Sequence, residues 1–312
     1  MGKTLATRMA FGEELLKIAE TRDDFVVCNA DTKTCGLDKF RTYFPEREFS
    51  VGIAEQNMIA TAAGLAACGN KVYAATFAVF ASMRACEQVR TFVCHTNLNV
   101  TIVGTHTGLQ VGGDGATHAA IEDVAIMRSF PNMTIVQPAD AIAARKIAQA
   151  SVDFVGPLYI RLHRNAVPDV YDESYTFEFG KASIPLDNGK DMTMIVSGIL
   201  LKKALEAAEI LKKEGIGVTV IDMSTIKPLD EAAVIRAAKE TGAVMTIEDH
   251  NIIGGLGSAV AEVLGEHCPV PFKRIGIQDR FGESGDPELI YRAHGMDVDS
   301  IAAAARELIA RK

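Results

Sequence analysis

No apolar stretch in this 312-residue chain approaches the length of a membrane span. The N-terminus carries no apolar run of signal-peptide type, and Ala6 stands where a myristoylation signal needs Ser or Thr. A basic cluster is missing as well. The net charge is −8 and the charges are scattered, whereas a nucleic-acid surface needs a clustered positive footprint. Acidity of this size mainly favours solubility. The six cysteines (Cys28, Cys35, Cys68, Cys86, Cys94 and Cys268) form no Cys-x-x-Cys pair, which argues against structural zinc. Most lie in apolar segments, where a reduced, buried thiol is the default, and that suits a reducing cytosol. A cytoplasmic protein is expected, working off membranes and off nucleic acids. Internal repeats, low-complexity tracts and coiled-coil heptads are also absent.

What remains is an ordinary globular composition. Hydrophobic residues make up 48% of the chain, and its length has room for two domains. Apolar runs alternate with helical patterns. Strands are predicted at 25–28, 48–51, 71–75, 100–104, 134–136 and 158–161, with helices near 12–20, 54–68, 82–94, 119–128 and 139–150. A polar, turn-rich passage from Asn165 to about Lys190 reads as a connection. The alternation then restarts, with strands at 192–196, 217–222, 243–247 and 272–277 and helices at 201–214, 230–241, 257–266 and 300–311. The fold class is α/β: two successive doubly wound domains, residues 1–170 and 191–312, joined by a linker at 171–190.

One carboxylate stands out. Glu55 lies between an extended segment, Glu48-Phe49-Ser50-Val51, and a helix rich in small residues. An acid at the carboxyl end of a strand in an open α/β sheet points into the ligand crevice. In apolar surroundings, which Phe77 and Phe80 can supply, such an acid suits acid/base work. The plainer alternative is a polar residue near a helix start, stabilised by the helix dipole. Phe77 and Phe80 have a plain alternative too, ordinary core packing. His106, Asp114 and His118 fall in a segment that also holds Gly104, Gly108, Gly112, Gly113 and Gly115. Glycines let a loop approach a ligand closely, and imidazoles can exchange protons with hydroxyls. Zinc on His106, Asp114 and His118 is a rival reading. Arg164 follows the strand at 158–161, where a guanidinium fork suits a phosphate or another anion. Gly254-Gly255-Leu256-Gly257-Ser258 looks like a dinucleotide loop, but Val260 occupies the third glycine position, so a tight turn is the better reading.

Seven segments in order carry a resemblance. They are Leu5-Ala6-Thr7-Arg8, Asn29-Ala30-Asp31, Gly52-Ile53-Ala54-Glu55-Gln56-Asn57-Met58, Thr76-Phe77-Ala78-Val79-Phe80, Thr105-His106, Gly113-Asp114-Gly115-Ala116-Thr117-His118 and Arg161-Leu162-His163-Arg164. Together the segments resemble the pyrimidine-binding domain of transketolase. The likeness continues through Ile226-Lys227-Pro228-Leu229-Asp230 and Glu248-Asp249-His250-Asn251-Ile252-Ile253-Gly254-Gly255-Leu256-Gly257. It covers the chain from about Leu5 onward. The resemblance implies thiamine diphosphate as cofactor, with Glu55 sharing a proton with pyrimidine N1′, Phe77 and Phe80 stacking on that ring, and Asp31 near it. It assigns His106, Asp114 and His118 to sugar hydroxyls, the histidines assisting proton transfer. Arg8, Cys35 and Arg164 fall at the distal phosphate of a sugar phosphate. Two positions depart from the pattern. A family serine falls at Cys35, which weakens a hydrogen bond to an anion, and a third family aromatic falls at Met83.

The family's other half is not legible. Enzymes using thiamine diphosphate hold Mg²⁺ and the diphosphate with a Gly-Asp-Gly that ends in an Asn pair roughly 25–30 residues on. After Gly113-Asp114-Gly115 the corresponding region, Gln137-Pro138-Ala139-Asp140, has no such pair. The resemblance therefore implies the C-terminal subunit of a split transketolase. A separate N-terminal subunit would supply Mg²⁺ and the diphosphate site, and this chain would self-dimerise within a heterotetramer. Rival readings are deoxyxylulose-phosphate synthase, the beta subunit of a 2-oxoacid dehydrogenase, and a non-catalytic subunit.

Overall fold

The computed structural model describes residues 5–33 and 35–312. Its first sheet has seven strands, in the order Thr225–Lys227, Thr134–Val136, Leu158–Arg161, Val100–Thr105, Lys71–Phe77, Phe25–Asn29 and Glu48–Ser50. All neighbours are parallel except the first pair. The central strands are buried on both faces, so they read as continuous apolar runs rather than alternating ones. Side chains still segregate by pleat. Val72 and Ala74 pack with Met58, Ile59 and Ala62 on one face, while Tyr73 and Ala75 pack with Phe11, Phe25 and Ile147 on the other.

The second sheet has the order Phe272–Ile277, Val244–Asn251, Met192–Val196, Val218–Asp222 and Ser183–Asp187, parallel but for the last strand. Helices Leu201–Lys213 and Val298–Ile309 cover one face, and Glu231–Thr241 and Leu256–His267 the other. No helix among the described residues is long and apolar enough to cross a membrane.

Several elements differ from the sequence reading. The first helix begins at Thr7, not near Gly12. Gly12 is a contact point instead: a Cβ there would lie 1.6 Å from the Cys35 carbonyl oxygen. The helix read at 119–128 begins at Asp123. The connecting passage carries two strands, Ala166–Val167 against Leu5–Ala6 and Ser183–Asp187 at the edge of the second sheet. Thr225–Lys227, from the second half of the chain, joins the first sheet as an antiparallel edge. Its lysine ties it down, because Lys227 Nζ donates to the Arg128 and Phe130 carbonyls at 2.8 and 2.6 Å.

Candidate active site

Parallel strands bring their carboxyl ends to one edge of the first sheet, the place where open α/β sheets hold ligands. Glu55 is the first residue of helix Glu55–Ala67, and its side chain is 2% exposed. Its partner is Arg84, whose Nη1 lies 2.9 Å from Oε2. Arg84 closes a π-helical turn, Phe80–Arg84, and its guanidinium carbon sits 4.2 Å from the centre of the Phe80 ring. Phe80 stacks on Phe77 at 5.7 Å with an interplanar angle of 28°. His106 lies 4.2 Å from Phe77, and His118 packs edge-on to both phenylalanines at 5.7 and 5.4 Å. The four rings, Arg84 and Glu55 therefore form one contiguous surface.

His106 takes a left-handed backbone conformation, φ 61°. Its Nδ1 lies 3.1 Å from Thr105 Oγ1. Burial, with help from Arg8, Arg164 and His118, pushes the imidazole down to about 3. It is a neutral hydrogen-bonding group near pH 7. His118 is half-buried, with Nδ1 3.0 Å from Thr117 Oγ1.

A second cluster continues along the 3₁₀ turn Gly108–Asp114. Arg164 Nη1 meets Asp114 Oδ2 at 3.2 Å and donates to the Val111 carbonyl. Arg8 Nε donates to the Arg164 carbonyl at 2.9 Å. Burial lowers the Arg8 guanidinium below its ordinary value, opposed by the Cys35 thiol and reinforced by Arg164. Cys35 itself is 1% exposed. The fold thus brings together the two arginines and Cys35, which lie far apart in the sequence.

Asp31 is not part of either cluster. It has φ 58° and lines a separate cleft of about 240 Å³ with Asn29, Arg41, Glu48 and Ser50. The neighbouring Thr32 Oγ1 donates to the Ala75 carbonyl at 3.3 Å. A cavity of about 470 Å³ is lined by Arg128, Lys227, Glu231 and Glu262, none of them a member of the ring cluster. No group of three His, Cys, Asp or Glu side chains among the described residues is placed to hold a metal. The Gly254–Gly257 segment is a turn that runs into helix Leu256–His267, and Glu248 accepts the Leu256 and Gly257 amides at 2.7 and 2.8 Å, so those amides are already engaged.

The sequence reading does not single out Arg84, although its position four residues after Phe80 places it one helical turn away. Nor does it single out Asp249 as a site residue, because Asp249 reaches the first half of the chain from the second sheet.

The family described as transketolase, pyrimidine binding domain matches residues 3–170, and transketolase, C-terminal domain matches residues 180–301. A 6-deoxy-6-sulfo-D-fructose transketolase subunit SqwH from Clostridium sp. (strain MSTE9) is 42% identical over 98% of this chain and 95% of its own length. A subunit of an apulose-4-phosphate transketolase from Phocaeicola vulgatus is 39% identical over 98% of both chains. A solved structure described as a split gene transketolase, inactive beta4 tetramer, superposes with a TM-score of 0.91 at 44% identity, covering 98% of this chain and 99% of that one.

Proposed function

The chain belongs to the transketolase family, and we propose that it is the C-terminal subunit of a split transketolase, moving a two-carbon ketol unit from a ketose to an aldose. The observation that carries this reading is the buried Glu55 carboxylate set beside the Phe77–Phe80 stack. A planar, apolar-faced ring with one basic nitrogen fits that combination. The stack offers a face and the acid offers a proton-exchanging oxygen. The residues present therefore fit the pyrimidine end of thiamine diphosphate, which supplies the nucleophilic carbon of ketol transfer when bound.

Each residue then has a task. Glu55 holds a proton at pyrimidine N1′, with Arg84 steadying the carboxylate. Phe77 and Phe80 orient the ring and exclude water from one face. His106, neutral, and His118 hydrogen-bond sugar hydroxyls, and Asp114 orients a further hydroxyl. Arg164 and Arg8, beside Cys35, bind the distal anion, for which phosphate and sulfonate both fit a guanidinium fork. The relatives whose names specify a substrate differ in that sugar. Mg²⁺ and the diphosphate belong to an N-terminal partner subunit in this reading, since no such motif occurs in this sequence.

An open face beside Glu55 supports a shared site. Ile53 is 77% exposed and Met83 43%. On helix Glu55–Ala67, Gly64 has nothing within 4 Å of a Cβ position, while Ala63 is buried in the core. Small residues there permit a second helix to approach closely, and an obligate interface of this kind buries roughly 2,000 Å² or more. We expect light scattering to find a dimer or higher oligomer of this chain alone and a larger complex with its N-terminal partner. A monomer in both samples contradicts the shared-site architecture.

A further inference from the structure

We infer that Asp249, supplied by the C-terminal domain, is a positioning residue for the anion end of the sugar site. The side chain is fully buried, and both of its oxygens are committed across the domain boundary or to its own domain. Oδ1 accepts the Leu109 amide at 3.0 Å. Oδ2 accepts the Tyr291 hydroxyl at 2.6 Å and faces His163 Nε2 at 3.6 Å. The backbone carbonyl of Asp249 accepts Arg161 Nη2 at 2.9 Å. Leu109 belongs to the 3₁₀ turn that carries Val111 and Asp114, the two groups that meet Arg164. His163 immediately precedes Arg164. One carboxylate therefore fixes both pieces of backbone from which the Arg164–Asp114 pair projects.

The packing leaves it no room to relax. A Cβ on Gly108 would lie 1.9 Å from Asp249 Oδ2, and Gly108 has φ +66°, so glycine lets the turn press onto the carboxylate. The His163 ring is fully buried, and neither nitrogen has a hydrogen-bond partner among the described residues. The polar group it faces is the Asp249 carboxylate, 3.6 Å from Nε2. Arg161 completes the seam by pairing with Asp123 at 2.8 Å and donating to the Ala120 carbonyl at 2.9 Å. A site on the first sheet is in this way set by a residue of the second.

The anion role rests on the proposed function, but the contact to the loop does not, and the test keeps the two apart. Hydrogen exchange on the chain alone, comparing wild type with Asp249→Asn and Tyr291→Phe, reads the loop. Asp249→Asn offers Leu109 a weaker, neutral acceptor and turns an amide donor toward Tyr291 and His163, so it should accelerate exchange in residues 106–115 and leave residues 192–222 unchanged. Tyr291→Phe, which removes one bond to the same carboxylate and leaves Leu109 held, should change neither. With the reconstituted pair and inorganic phosphate as the probe, inhibition should weaken about tenfold in Asp249→Asn, the scale of a disturbed charged hydrogen bond, while kcat changes by less than about threefold. Uniformly faster exchange, unchanged exchange at 106–115, or the same effect from Tyr291→Phe would overturn the inference. Phosphate acting equally on wild type and Asp249→Asn would overturn the anion role. A wild-type pair without ketol transfer would instead defeat the proposed function and leave the exchange result to decide the contact.

Discussion

At the scale of single residues, Glu55 carries the account. A carboxylate 2% exposed is a costly residue to bury, and the Arg84 guanidinium is the cation that meets it. Gln keeps the shape and can still meet Arg84, but it cannot exchange a proton. Glu55→Gln in the reconstituted enzyme should keep the wild-type melting temperature and lose ~10²–10⁴-fold in turnover. Near wild-type turnover would rule out the acid/base role. In the proposed reading, Arg164 holds the distal anion. Arg164→Ala should raise KM for a phosphorylated ketose by an amount worth about 1.5–3 kcal/mol, with kcat less affected. The same change on an unphosphorylated ketose would deny Arg164 its anion. His106 shows what residue type alone does not reveal. The glycine-rich loop marks it as a site residue, whereas its neutral state comes from burial and from three cationic or imidazole neighbours that only folding assembles.

At the scale of elements, most strands and helices are legible in the sequence, because buried parallel strands give apolar runs and amphipathic helices give their own period. Two of the differences come from contact with another part of the chain. Gly12 looks like a helix start but marks the approach of the Cys35 loop. Thr225–Lys227 is too short to read and becomes a strand only through pairing with Thr134–Val136. In the site, Glu55, the two phenylalanines, the histidines and the arginines are legible as chemistry, while Arg84 and Asp249 require the fold. The strand Val218–Asp222 ends in a buried acid whose environment gives a pH test. Tyr171 and Ser224 donate to Asp222 Oδ2 at 2.8 and 2.9 Å, and Oδ1 has no hydrogen-bond partner among the described residues. Burial, with Asp140 nearby, raises the carboxyl from 3.8 to about 7 despite those two donors. A folded-state value above the unfolded one means the protonated acid favours folding at low pH. That contribution is lost as pH rises from about 4 to 7. Asp222→Asn should therefore gain stability relative to wild type across that window and hold a constant advantage above it. Urea unfolding at several pH values measures this, and a difference that stays flat from pH 4 to 8 would contradict the buried acid.

At the scale of the whole molecule, two α/β sheets are joined by a buried polar seam, Arg161 to the Asp249 carbonyl and the Leu109 amide to the Asp249 carboxylate, and the ring cluster lies at the carboxyl ends of the first sheet's strands. The chain matches transketolase domains along nearly its full length and shares that length with relatives named as subunits. In the proposed reading, the ring face, the acid and the two arginines make one half of a site whose diphosphate half lies on a partner subunit. The most direct measurement is a ketol-transfer assay with thiamine diphosphate and Mg²⁺ on this chain, on its N-terminal partner, and on the two mixed. The account predicts turnover in the mixture alone, abolished by Glu55→Gln in this chain. Turnover by this chain without a partner, or a stable mixed complex that transfers no ketol unit from any ketose phosphate or sulfonate, would contradict it.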